Sequence, residues 1–139
     1  MTTIDSMALR QGASVALVFA VPFSIASRLM ADHDKGSPWV SVLWLAALGG
    51  FTLGAGIAAW VQRTGFPLLH GLVCAGGTYL AAQTVFIIIK LFRGGTVSWL
   101  GVFFTFTVVL FAGLIGGGLG SAMRKRGILP GTVGKKGSA

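Results

Sequence analysis

Glutamate and asparagine are missing from this sequence, and its only carboxylates are Asp5, Asp32 and Asp34. Paired carboxylates for acid/base work, an oxygen-rich metal cage and proton export through a membrane-embedded acid are therefore poorly supplied. The single cysteine, Cys74, lies inside an apolar run, so no intrachain disulfide can form. Two histidines remain: His70 has no carboxylate near it in sequence, and Asp32-His33-Asp34 are loop neighbours, which rarely converge on one ion. No metal, cofactor or catalytic residue is expected, and the reading is non-enzymatic, because a nucleophile needs a positioned base. Charge of any sign is scarce as well. Only 10% of the 139 residues are charged and 54% are hydrophobic, with a mean hydropathy of +0.83. Soluble domains carry about 25% charged residues, so this composition belongs in a bilayer.

Four apolar runs are each long enough to cross one, at about 20 residues per crossing. They predict spans over Gly12–Ala31, Trp39–Val61, Leu68–Ile89 and Trp99–Met123, the first with Pro22 in its middle. Gln62-Arg63-Thr64-Gly65 followed by Pro67 gives the clearest boundary. The expected fold is an all-α integral membrane bundle of four transmembrane helices arranged as two hairpins, over residues 1–127. Residues 128–139, rich in Gly and Lys, are expected to form a flexible basic cytoplasmic tail. Arg10, the apolar stretch after it and Ser24-Ile25-Ala26 also have the form of a secretory signal; the run continues to Ala31, and its removal would leave three helices. Gly12 stands to Trp39 much as Gly71 stands to Trp99, an offset of about sixty residues. Either the halves are a parallel repeat, or two membrane hairpins share the same punctuation.

The formal charge of +8 is read as a topology signal and not as a nucleic-acid footprint, because the basic residues sit at the ends of runs. With the N-terminus cytoplasmic, that side carries Arg10, Arg63, Arg124, Lys125, Arg126, Lys135 and Lys136, against Arg28, Lys35, Lys90 and Arg93 outside. Both termini are then cytoplasmic, with the basic tail on anionic lipid.

Small residues recur four apart on every span, the spacing that puts them on one helix face and lets backbones approach closely. The first span offers Gly12, Ala16, Ala20 and Ser24; the second Ala46, Gly50, Gly54 and Ala58; the third Gly71 and Ala75, then Gly77 and Ala81. The fourth carries two stripes, Gly113-Gly117-Ser121 and Ala112-Gly116-Gly120. The Gly54-x-Gly56-x-Ala58 run, Gly71 and Tyr79 give the middle of the chain a likeness, and it resembles small four-helix bacterial membrane proteins of the YrzE type. That resemblance implies a fold and a bacterial inner membrane, and brings no site residue with it.

Gln83 and Thr84 lie within the third span, where a polar group must find a partner. Gln83, Tyr79 one turn before it and Thr78 beside that are the candidate solute contacts. Arg28 and Lys90 read as interfacial anchors, and His70 as a boundary residue. The expected function is lateral helix association, as an accessory subunit of a membrane complex or as a homo-oligomer. More stripes are present than one bundle obviously needs. The alternative is a small oligomeric channel or transporter.

Overall fold

A computed structural model describes residues 4–128. Four helices follow one another: α1 (Ser6–His33), α2 (Pro38–Val61), α3 (Pro67–Phe92) and α4 (Trp99–Lys125). At 1.5 Å per residue they are about 36–42 Å long, enough to cross a hydrocarbon core of about 30 Å. All four are long and apolar enough to do so, which makes the chain a multi-pass membrane protein. The tail expected at 128–139 lies, beyond Ile128, outside the described residues.

The helices start and stop where local chemistry dictates. Asp5 caps α1, its Oδ1 accepting from the amides of Met7 (3.1 Å) and Ala8 (3.3 Å), so α1 begins six residues before the predicted span. The Ser37 and Ser98 hydroxyls accept from Trp39 N and Gly101 N, both at 3.3 Å. Pro38 and Pro67 occupy first-turn positions, where the missing N–H is not needed. At the far ends of α3 and α4 the chain turns through Gly94 and Gly127, at φ 76° and 79°. The following amides, Gly95 N and Ile128 N, reach back to Lys90 O (2.9 Å) and Met123 O (3.0 Å), closing both helices in Schellman turns. Pro22 falls inside α1, which continues through it.

Packing in this bundle is inverted relative to a soluble protein. Small residues are buried, including Ala8, Ala16, Ala20, Ala55, Ala58, Ala59 and Ala75, while Leu100 is 83% and Phe103 66% exposed. An exposed apolar surface of this extent would aggregate in water and is satisfied by lipid. The helices touch around the circuit α1–α2–α4–α3, with α2 and α3 also meeting across the middle and α1 and α3 meeting most lightly.

At three of the crossings, glycines of the stripes stand close to the facing helix. A Cβ placed on Gly54 would lie 2.5 Å from Gly12 O and 2.6 Å from Ala16 Cβ, and one on Gly12 would lie 2.8 Å from Ala58 Cβ. Gly50 faces Ala20 in the same α1–α2 contact. Between α3 and α4, a Cβ on Gly113 would lie 2.9 Å from Ala75 Cβ and 3.0 Å from Gly71 O, and one on Gly71 would lie 2.8 Å from Gly117 Cα. The two sets are related by one displacement of 59 positions: 12 to 71, 16 to 75, 54 to 113 and 58 to 117. The second stripe of α4 faces α2, where Gly116 abuts Thr52 O and Gly120 would meet Gly56 O at 2.5 Å. Gly77 is different from the rest of its expected stripe, since nothing lies within 4 Å of a Cβ there.

Candidate functional site: a cavity between the four helices

Glycine crossings draw the helices together at the end where α1 and α3 begin. Toward the other end, which carries the α1–α2 and α3–α4 loops, larger side chains hold them apart around a cavity of about 240 Å³. Its floor is Phe51, Tyr79 and Val109, near mid-span, and it extends to Lys90, Val97 and Ser98 at the loop end. The Tyr79 ring is wedged between Phe51 and Phe106, with centroids 6.2 Å and 5.8 Å away. Its hydroxyl donates to Val102 O at 3.1 Å, tying α3 to α4. On another wall, Ser27 Oγ donates to Val40 O at 2.9 Å and ties α1 to α2.

Arg28 departs from the expected outward anchor. Its Nη2 donates to Gln83 Oε1 at 3.3 Å, and its guanidinium carbon lies 4.4 Å from the Phe86 ring centroid. An amide deep in α3 thus gains a charged partner from α1, while the ring faces the cation with its negative π surface. Thr84 is satisfied inside its own helix, donating to Leu80 O at 2.7 Å. Of the three candidate solute contacts, the fold brings Tyr79 and Gln83 to the cavity; Thr78 is buried and does not line it. One residue is about 100° of helix, which places Thr78 on the face of Cys74, whose Sγ would lie 2.8 Å from a Cβ on Gly12.

A second cavity, of about 450 Å³, lies over the α1–α3 seam at the same end and shares Arg28, Phe86 and Lys90 with the first. Arg93 completes three cations in its lining, and Asp32 is the one carboxylate there. Among the described residues, no three His, Cys, Asp or Glu side chains gather as a metal set.

The opposite end of the bundle is closed by hydrogen bonds. His70 stands at the end of the bundle, in the first turn of α3, as expected, but it is buried there, at 1% exposed. Its Nε2 accepts from Asp5 N at 2.8 Å, and its Nδ1 lies 2.7 Å from Phe66 O. An amide only donates and a carbonyl only accepts, so these partners fix a neutral ring with its proton on Nδ1. Gln62 Oε1 accepts from Thr64 N (2.9 Å) and Gly65 N (2.8 Å), holding the α2–α3 turn. Arg63 N donates to Asp5 Oδ2 at 3.2 Å. No sequence pattern links Asp5, Arg63 and His70, because they meet only once α1 packs on the α2–α3 turn.

The Ala8 amide above all, then those of Arg63 and Met7, hold the Asp5 carboxyl below its ordinary value. A depressed folded value stabilises fully above the unfolded value of about 3.9, and that stabilisation is lost as pH falls through the folded one. Protection of the first-turn amides of α1 is therefore expected to fall as the pH drops below about 4. Asp5→Asn keeps the cap and should abolish that dependence in hydrogen exchange; an unchanged profile would mean that another group governs it.

Fold and cavity together define a class: a four-helix multi-pass membrane protein with a blind cavity at one end and a hydrogen-bonded closure at the other. No family model, curated protein or solved structure matches the chain.

Proposed function

We propose that the chain is a non-enzymatic protein of the bacterial inner membrane that admits a small solute into its bundle from the loop end. The observation that carries this reading is the cavity of about 240 Å³ reaching from Lys90 and Ser98 down to Tyr79. A four-helix bundle ordinarily packs around a filled core, and this volume is large enough for several waters or a small solute. The walls offer a guanidinium, an amide, a phenol and hydroxyls, with no carboxylate or imidazole to serve as a base. Tyr79, Phe51 and Val109 block the way onward, so passage requires the floor to move, as in a gated pathway or a carrier.

Lateral association, as an accessory subunit or with a second copy, stands second. Its ground is a surplus of stripes: α1 and α4 occupy both small faces of α2, and α2 and α3 both of α4, which leaves Gly77 and Ala81 of α3 facing outward. Orientation follows the basic residues: both termini are cytoplasmic, with Arg124, Lys125 and Arg126 against anionic lipid, and the cavity opens on the opposite side.

Single cysteines in a Cys74→Ala background test the reading. A membrane-impermeant thiol reagent applied outside spheroplasts should modify Lys35→Cys rapidly and Thr105→Cys, on the cavity wall, more slowly. Ala112→Cys, below the floor, should stay unmodified. An inert Thr105→Cys beside a reactive Lys35→Cys removes the solute reading. Should Lys35→Cys react only after the cells are opened, the orientation is reversed.

A further inference from the structure

We propose that the α1–α3 seam at the loop end binds one anionic phospholipid, with its phosphodiester on Arg28, Lys90 and Arg93 and an acyl chain along Ile25, Leu29, Phe86 and Ile89. Two helix faces line the cavity of about 450 Å³, residues 25, 28, 29 and 32 on α1 and 86, 89 and 90 on α3, with Arg93 at the C-cap of α3. Positions three, four and seven apart share a face, and both faces run in the same order toward the loop end. Ile25 and Phe86 lie deepest, Arg28, Leu29, Ile89 and Lys90 come next, and Asp32 and Arg93 stand at the top. Apolar below and cationic above is the division of a phospholipid, with its tail in the core and its head at the interface.

Charge complementarity selects the sign of the head. Three cations against Asp32 leave the lining with an excess of positive charge that a phosphodiester neutralises. Lys90 and Arg93 close α3, where cations ordinarily complement the helix dipole. Arg28 has no such duty, since it lies five residues before the end of α1. A snorkelling arginine would extend to water; this one crosses the seam to Gln83 and Phe86 and spends one of its five N–H donors on Gln83. The remaining fork matches phosphate oxygens. Ile25, Leu29 and Ile89 are 41%, 64% and 48% exposed along the seam, so an acyl chain reaches them laterally from the leaflet. This inference rests on the membrane-spanning fold and not on passage of a solute.

The test is native mass spectrometry of the full-length chain in mild detergent, titrated with phosphatidylglycerol or phosphatidylcholine. Phosphatidylglycerol should bind first and more tightly, and Arg28→Gln and Lys90→Gln should each weaken it by about fivefold. Lys125→Gln with Arg126→Gln, at the other end of the bundle, should leave that affinity unchanged. Arg28→Gln also removes the partner of Gln83, so circular dichroism checks its helicity; if it does not fold, Lys90→Gln and Arg93→Gln carry the comparison. Equal affinity for the two lipids overturns the proposal. So does a loss confined to the Lys125→Gln with Arg126→Gln variant. Displacement of phosphatidylglycerol by excess inorganic phosphate would mean that the cations take a free anion, and would overturn the lipid assignment.

Discussion

Gly54→Leu is expected to take the α1–α2 hairpin apart. Even its Cβ would stand 2.5 Å from Gly12 O, 2.6 Å from Ala16 Cβ and 3.1 Å from Ala16 N. Two of these are backbone atoms and the third is fixed to the backbone, so no rotamer change relieves the contact and α1 must move. Overpacking a tight core costs about 1–3 kcal/mol per insertion, and a leucine adds three carbons beyond the Cβ. Helices in lipid lack the hydrophobic drive that would push them back together. The counterpart Gly113, whose Cβ would meet Ala75 Cβ at 2.9 Å and Gly71 O at 3.0 Å, is expected to tolerate alanine better. Gly118, with nothing within 4 Å of its Cβ, should accept alanine or leucine with little change. Thermal unfolding in mild detergent orders the three. Gly54→Ala as stable as Gly118→Ala would contradict the crossing geometry.

Much of this fold is legible in the sequence because lipid simplifies the problem. With water excluded, every backbone group must be paired inside a helix, so four apolar runs bounded by Gly, Pro and basic residues already fix four helices. Spacing also picks out the crossing glycines, since only a residue without a side chain lets backbones touch. Spacing does not say which partner each stripe meets. Gly116 and Gly117 are adjacent in sequence, yet one faces α2 and the other α3. Counting stripes therefore does not say how much small-residue surface is left for other proteins.

The candidate site was legible only in part. Gln83 and Tyr79 stand out as polar residues in an apolar span, and both line the cavity. Thr78 looked equivalent because it is adjacent to Tyr79, but the helical rotation between neighbours takes it out of the cavity. Arg28 reads as an anchor because it sits near the end of a run. Its partner, Gln83, is 55 residues away, and no local rule joins them. The same holds for Asp5 and His70, separated by 65 positions and joined by a main-chain amide that leaves no mark in the sequence.

Replacing Arg124 with methionine is expected to cost about 2–3 kcal/mol of stability, in line with charged hydrogen bonds worth about 1.5–3 kcal/mol each when exposure is partial. The cause lies in the topology. Two hairpins in the same sense bring α2 and α4 side by side and parallel, so their negative C-terminal ends lie together. The last carbonyls of α2 have no partner within their own helix. Arg124, in the last turn of α4, donates through Nη1 to Trp60 O at 3.2 Å and to Gln62 O, placing positive charge between the two ends. Trp60 Nε1 returns the connection by donating to Ile128 O at 2.6 Å. Arg124→Lys keeps the charge, but its ammonium ends one bond short of the position that Nη1 holds between the two carbonyls, so it should recover about half of the loss. That variant separates stability from membrane orientation, which responds to charge and not to donor geometry. Denaturant titration of helicity in mixed micelles gives the comparison, with Lys125→Met as the control that removes a charge without a bond. If Arg124→Met and Lys125→Met are equally stable, the link between the two helix ends contributes nothing beyond its charge.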